Sequence, residues 1–148
     1  MRVAIGSDDS GPLTEALLEE LDRRGCAVER FGALRYALRQ AQGDGAWASI
    51  GRAVGEAVAA GSADVGIACC WTGTGISIAA NKIPGVRAAL CGDAATAEGA
   101  RRWNDANVLA LSLRATSPAV GREILDAFLA TPVSDDGVDL REIAAIEP

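Results

Sequence analysis

Short apolar runs alternate along this chain with stretches in which an apolar residue recurs every third or fourth position. Val3-Ala4-Ile5-Gly6 is the first run, and Pro12 to Arg24 follows with Leu13, Leu17 and Leu21 at spacing four, an amphipathic helix ended by Gly25. Ala27-Val28-Glu29-Arg30-Phe31 reads as a second strand. A loose stretch from Gly32 to Gly45, in which the Leu34–Leu38 pair suggests one helical turn, leads to a helix from Trp47 to Ala60 that stops at Gly61. Val65 to Cys70 is a third strand, and the Gly-rich turn Thr72 to Gly75 opens a short helix of small residues that ends near Asn81-Lys82 before Pro84. Val86 to Cys91 is strand four, Ala94 to Trp103 a helix and Val108 to Leu111 strand five. Pro118 then starts a helix with Val120, Ile124 and Phe128 on one face.

Strand and helix thus alternate five times. The pattern predicts a single-domain α/β protein with a three-layer, Rossmann-like fold: a five-stranded parallel sheet with helices on both faces. The acidic segment from Thr131 to Pro148 is expected to be a C-terminal tail that packs on a partner chain. In such folds ligands bind beyond the carboxyl ends of the strands, at the switch in strand order. Asp8-Asp9, Cys70 to Gly75, Asp93 and Ser112 to Arg114 are the residues placed there.

The length of 148 residues fits one domain, and 49% apolar with 23% charged residues fits a folded globular chain. No run approaches the ~20 apolar residues of a membrane span, and the N-terminus enters a strand without a signal-like segment, so a cytoplasmic protein is expected. A net charge of -6 argues against nucleic acid or an anionic membrane as partner. The chain has four cysteines, no C-x-x-C pair and no histidine, which makes a metal site improbable and removes every Ser-His and Cys-His hydrolase. Proton transfer must then use Cys, carboxylates, hydroxyls or water.

Trp71-Thr72-Gly73-Thr74-Gly75-Ile76-Ser77 presents backbone N–H groups at the start of a helix, where an anion or a developing oxyanion is favoured. Ile78 breaks a dinucleotide fingerprint there, and Ala80-Asn81 breaks a P-loop. A turn that needs small residues for packing would carry the same letters. Cys70 stands beside this turn, where thiolate gains over thiol. Alternation sends Cys69 to the opposite face, and Cys26, Cys69 and Cys91 read as buried core residues. Paired acids after strand one also suit a phosphorylation receiver domain, but that needs an Asp after strand three and a Lys after strand five, where Cys70 and Leu111-Ser112 stand. The only lysine, Lys82, reads as a cap for its short helix. Arg101 to Asn107 is a cluster of polar groups suited either to a polyol or to a helix end with Asn in the left-handed conformation. Trp47 reads as core, or as an aromatic wall of the pocket.

Ile5-Gly6-Ser7-Asp8, Thr72 to Lys82, Pro84 to Cys91 and Asn104 to Leu111 together resemble the sugar-phosphate isomerase family that includes type B ribose-5-phosphate isomerase and the galactose-6-phosphate isomerase subunits. From Gly66 to Leu111 the likeness is nearly continuous. It implies aldose–ketose isomerisation through a cis-enediolate, with no cofactor. By position, Cys70 looks like the base that moves a proton between C1 and C2, Thr72 and the turn amides of Gly73, Thr74 and Gly75 would hold the oxyanion, and Ser77 is a further substrate-binding candidate. Asp8 and Asn104 would contact the sugar hydroxyls. A homodimer or dimer of dimers is implied, each site being completed by the neighbouring chain.

The chain departs from the family where Asp9 and Trp103 replace two histidines. Loss of the second removes the group thought to open the sugar ring, so either an open-chain substrate or Asp8 as substitute is expected. Trp71 stands where the family commonly has Gly and adds an aromatic face. At the phosphate end Arg114 survives clearly and Arg141 is the candidate in the acidic tail. Carboxylates such as Asp9 beside a dianion cost on the order of a kcal/mol per close pair in a partly buried site. The expected substrate is therefore a sugar or sugar phosphate with altered recognition at its far end, and not an ordinary sugar phosphate: an unphosphorylated sugar, or one whose far end offers hydroxyls to Asp9 and the acidic tail. Two alternatives stay open: a catalytically degenerate sugar-binding subunit of a hetero-oligomeric isomerase, and a flavodoxin-like nucleotide binder.

Overall fold

The computed structural model describes residues 1–35 and 45–147. Five strands, β1 (Arg2–Ser7), β2 (Ala27–Gly32), β3 (Val65–Cys70), β4 (Ala88–Leu90) and β5 (Val108–Ser112), form one all-parallel sheet in the order β2-β1-β3-β5-β4. The helices are α1 (Pro12–Arg23), α2 (Trp47–Ala59), α3 (Thr74–Ala80), α4 (Ala94–Asn104), α5 (Pro118–Ala130) and α6 (Gly137–Ile146). Among the described residues no helix is long and apolar enough to cross a membrane.

Strand alternation divides the core into two. Val3, Ile5, Ile67, Cys69, Leu109 and Leu111 face Leu17 and Leu21 of α1, Ala97 of α4, and Ile124 and Phe128 of α5. Ala4, Ala68, Cys70, Val108 and Ala110 face Ile50 and Val54 of α2 and Ile76 of α3. The expected three-layer arrangement is therefore present, and the two adjacent cysteines end in different cores. The second face is built of smaller strand residues, which lets α2 and α3 approach the sheet closely. Burying these residues on both faces is the main stabilising contribution, on the order of 25 cal/mol per Å² of apolar surface removed from water.

Helix starts follow local chemistry. Pro12 and Pro118 occupy first-turn positions where a missing N–H costs nothing, and Asp93 and Ser117 accept hydrogen bonds from Thr96 N and Val120 N at 2.7 and 3.3 Å.

Four expectations are corrected. Strand four is limited to Ala88–Leu90, because Asn107 Oδ1 takes the Arg87 N–H at 2.8 Å and Val86 turns into the α3 side of the core. The segment from Thr131 is not a plain tail: Asp136 accepts from Val138 N at 2.7 Å and starts α6, which packs on α4 with no fully buried residue of its own. The left-handed residue after α4 is Asp105, φ 45°, rather than an asparagine. Cys26 is half-buried against the core, while Cys69 and Cys91 are buried as expected. Leu34 lies in a 3-10 turn, Ala33–Arg35, whereas Leu38 falls outside the described residues.

The α2–α3 contact depends on Gly51, where an added Cβ would stand 2.6 Å from the Ile76 carbonyl oxygen and 3.0 Å from Ala79 Cβ. Gly51→Ala gains about 1 kcal/mol of helix propensity but drives a methyl group into backbone. The expected net result is a loss of about 1–3 kcal/mol, as for other overpacked cores, read as a lower urea midpoint at unchanged m-value.

Candidate functional site

The connections from β1 and β3 leave in opposite directions, so the switch in strand order lies between these two strands. Ser7 pairs with Cys69 and Asp8 N donates to the Cys69 carbonyl at 3.4 Å, so Asp8 and Cys70 both follow at the carboxyl end. Alternation puts Cys70 with Ala68 on the α2–α3 face, while Asp8 lies in the bend just past β1.

The end of β3 is held rigidly. The Cys70 carbonyl accepts from Gly73 N at 3.2 Å and Leu113 N at 3.0 Å, and the Trp71 carbonyl accepts from Ser112 Oγ at 2.9 Å and Arg114 N at 3.1 Å. The turn between them requires glycine at 73. Its φ is +76°, and a Cβ would lie 2.4 Å from Leu90 Cδ1 and 2.9 Å from the Leu111 carbonyl carbon. The first bond of α3 is Ser77 N to Gly73 O at 3.2 Å. The N–H groups of Thr74, Gly75 and Ile76 precede it and have no acceptor within the helix. Thr72 is exposed, with its hydroxyl 2.8 Å from that of Thr74.

Asp8 is partly buried, and its Oδ1 is enclosed with no hydrogen-bond partner among the described residues. Burial first, and the neighbouring Asp9 charge after it, raise its carboxyl above the usual range against backbone N–H donors that lower it. Asp9 itself is exposed, and its Oδ1 accepts from Ser10 N at 2.8 Å. Burial pushes the Cys69 thiol up to about 12, with Cys70 and Asp8 adding to it, and pushes Cys91 up to about 11. Cys70, 4% exposed, is the last residue of β3 and stands at the switch point beside the Gly-rich turn. Among the described residues no group of three or more Cys, Asp or Glu side chains is placed to hold a metal ion.

Beside Thr72 a cleft of about 560 Å³ runs over the ends of β4 and β5, lined by Leu90, Cys91, Gly92, Ser112, Arg114 and Thr116; the thiol on its wall is Cys91, and Cys70 lies beyond the lining, one residue before Trp71. Arg114 is exposed there and makes no ion pair among the described residues. Trp71 is 65% exposed directly after Cys70. Trp47 is 47% exposed and so is not core; its ring lies against the turn, within 2.9 Å of where a Cβ of Gly75 would stand. The core reading of this residue is therefore corrected: the indole covers the turn from outside.

Several predicted residues stand elsewhere. Ser77 is buried, and its hydroxyl points to the Ala88 carbonyl at 3.4 Å, away from the turn surface. Lys82 is exposed, and its ammonium makes no hydrogen bond among the described residues; Asn81 ties α3 to β4 instead, pairing both amide atoms with Ala88 at 2.8 Å. Trp103 and Asn104 are exposed at the C-terminal end of α4, next to the amino end of β5, because a helix returning to a parallel strand runs the length of the sheet. Arg141 is exposed on α6, which packs on α4. One chain therefore does not bring Trp103, Asn104 or Arg141 to Cys70. Nothing in the local sequence marks this separation.

A sequence model of the ribose/galactose isomerase family matches residues 3–146. Ribose-5-phosphate isomerase B of Escherichia coli is 42% identical over 137 residues, covering 86% of this chain and 83% of that protein. The galactose-6-phosphate isomerase subunit LacB of Clostridium acetobutylicum is 47% identical over 79 residues, 53% of this chain and 46% of that protein. The chain thus spans about half the length of several curated relatives it matches. The solved ribose-5-phosphate isomerase B of Clostridium thermocellum superposes with a TM-score of 0.87 at 37% identity, over 99% of this chain and 95% of that one.

The raised Asp8 carboxyl gives a stability prediction. The folded state holds a proton on Asp8 more tightly than the unfolded state, so ionisation costs stability as pH rises through the raised value and stays costly above it. Asp8→Asn is expected to raise Tm at pH 7. The gain should shrink as pH falls through that window and vanish below the ordinary 3.8, as calorimetry across pH would show.

Proposed function

The chain belongs to the ribose/galactose isomerase family, and from that premise we propose that it interconverts an aldose phosphate and its ketose through a cis-enediolate, with Cys70 as the base that moves the proton between C1 and C2. The observation that carries this reading is the meeting of the carboxyl ends of β1 and β3, which brings Asp8 and Cys70 to the switch point beside a turn whose N–H groups have no acceptor within the helix. Removing a proton next to a carbonyl puts negative charge on oxygen. Donors fixed in advance at that oxygen lower the barrier without reorganising during the reaction. The amides of Thr74 and Gly75, with the Thr72 hydroxyl, supply such donors, and the bonds that fix the Cys70 and Trp71 carbonyls keep the thiol in register with them.

Asp8 contacts a sugar hydroxyl in this reading. With no histidine in the chain, its raised carboxyl is the group fitted to exchange a proton with the ring oxygen. Arg114 is the cation for the phosphate, at the mouth of the cleft beside Thr72. A phosphorylated substrate is supported by the exposed Arg114 beside the cleft and by the likeness to ribose-5-phosphate isomerase B, whereas Asp9, bonded to Ser10 N, opposes it. The exposed indoles of Trp47 and Trp71 supply apolar faces for the sugar C–H groups. Trp103, Asn104 and Arg141 complete the site of a second copy, on which α6 packs.

Solvent exchange at C2, followed by proton NMR in deuterated water, tests this directly with ribose 5-phosphate and ribose as a matched pair. The phosphate ester is expected to exchange and Cys70→Ala to lose about 10²–10⁴-fold of the rate. Exchange confined to free ribose would move the far-end recognition away from phosphate. No exchange with either would replace the enzyme by a sugar-binding subunit that needs a related chain.

A further inference from the structure

We propose that Arg87 is a positioning residue for the reaction, a hub that holds the two segments carrying Asn104 and Arg141 in one fixed arrangement. The proposal rests on the reading that both residues serve a second copy's site. Arg87 lies just before β4, at the edge of the sheet far from Cys70, with its side chain only 17% exposed. Its Nε donates to the Asp105 carbonyl and its Nη2 to Asp105 Oδ2, both at 2.8 Å, while Nη1 pairs with Glu147 Oε1 at the end of α6. Arg101 reaches the same turn from α4, with Nη1 3.1 Å from Asp105 Oδ1 and 2.6 Å from the Ala106 carbonyl. Asn107 closes it from below, accepting from Arg87 N and donating to the Gly85 carbonyl, each at 2.8 Å.

Two cations and two carboxylates thus meet around a turn whose residue Asp105 has the left-handed backbone that a side chain disfavours. Asn104 is the neighbour of Asp105, and Arg141 lies on the helix that Glu147 follows. A guanidinium can serve both arms because its donors form a planar fork, two for Asp105 and one for Glu147. This is more order than an exposed helix end and a helix with no buried residue would need for stability alone. Fixing both segments to one side chain keeps the spacing of Asn104 and Arg141 constant when they enter a site on another molecule. Displacements near 1 Å matter there.

The test compares Arg87→Met and Glu147→Gln with Asn104→Ala and Arg141→Met as references, in ribose 5-phosphate isomerisation by the full chain. Arg87→Met is expected to lower kcat/KM roughly 10- to 100-fold, chiefly by raising KM, with kcat little changed. Amide hydrogen exchange should quicken in both 102–107 and 137–147 while the strands stay protected. Glu147→Gln frees only the α6 arm, so it should raise KM less and add nothing further in the Arg141→Met background. It also keeps the test decisive should Arg87→Met fail to fold. Wild-type KM in Glu147→Gln and Arg87→Met, beside a raised KM in Asn104→Ala and Arg141→Met, would overturn the proposal and leave the shared site intact. Wild-type KM in both reference variants, with Cys70→Ala inactive, would remove the shared-site reading and the proposal with it.

Discussion

The carbonyls of Cys70 and Trp71 are where the sheet and the site meet. A parallel strand that ends in a turn leaves carbonyls to be satisfied, and here both belong to the peptide groups around the thiol. Cys70 O is taken by Gly73 N and Leu113 N, and Trp71 O by Arg114 N and Ser112 Oγ. Those four bonds fix the thiol, the left-handed Gly73 and the loop carrying Arg114 in one rigid piece. Without them the Thr74–Ile76 amides would have no defined direction relative to Cys70.

Around that piece the two cores play different parts. The face toward α1, α4 and α5 is filled by large side chains, and its thiols, Cys69 and Cys91, are held neutral by burial. The face toward α2 and α3 is made of alanine, glycine and valine on the strands, which brings the Gly-rich turn and the Trp47 ring close to the sheet. Cys70 falls on this tighter face, and Asp8 stands at the neighbouring strand end. Desolvation there is what separates Asp8 from an ordinary surface carboxylate, and the same enclosure would strengthen any hydrogen bond a substrate offers to it.

The other end of the molecule follows a different rule. Asn104, Trp103 and Arg141 are exposed beyond the amino ends of the strands, and the ordered elements beneath them are charged rather than apolar. Arg87, Arg101, Asp105 and Glu147 keep most of that charge half-buried and mutually paired. Half-buried pairing of this kind fixes geometry more than it adds net stability, because desolvation offsets much of the attraction. Such a surface suits residues that must arrive preset at another molecule.

The sequence by itself determined the alternation of five strands and their helices, the parallel sheet, and the opposite facing of Cys69 and Cys70. These depend on local periodicity and on caps such as Pro12, Asp93 and Pro118, so they are legible residue by residue. It also marked the Gly73 turn, because only glycine tolerates that backbone. Tertiary structure decided the rest. The strand order that brings Asp8 and Cys70 to the switch point comes from packing between elements distant in the chain. Trp47 was drawn out of the core by the closeness of α2 to Gly75, Ser77 was buried against β4, and α6 was held by Arg87 and Glu147, sixty residues apart. The direction of α4 along the sheet carried Trp103 and Asn104 away from the thiol. Each of these outcomes depends on contacts between segments far apart in sequence, which no local pattern of residues encodes.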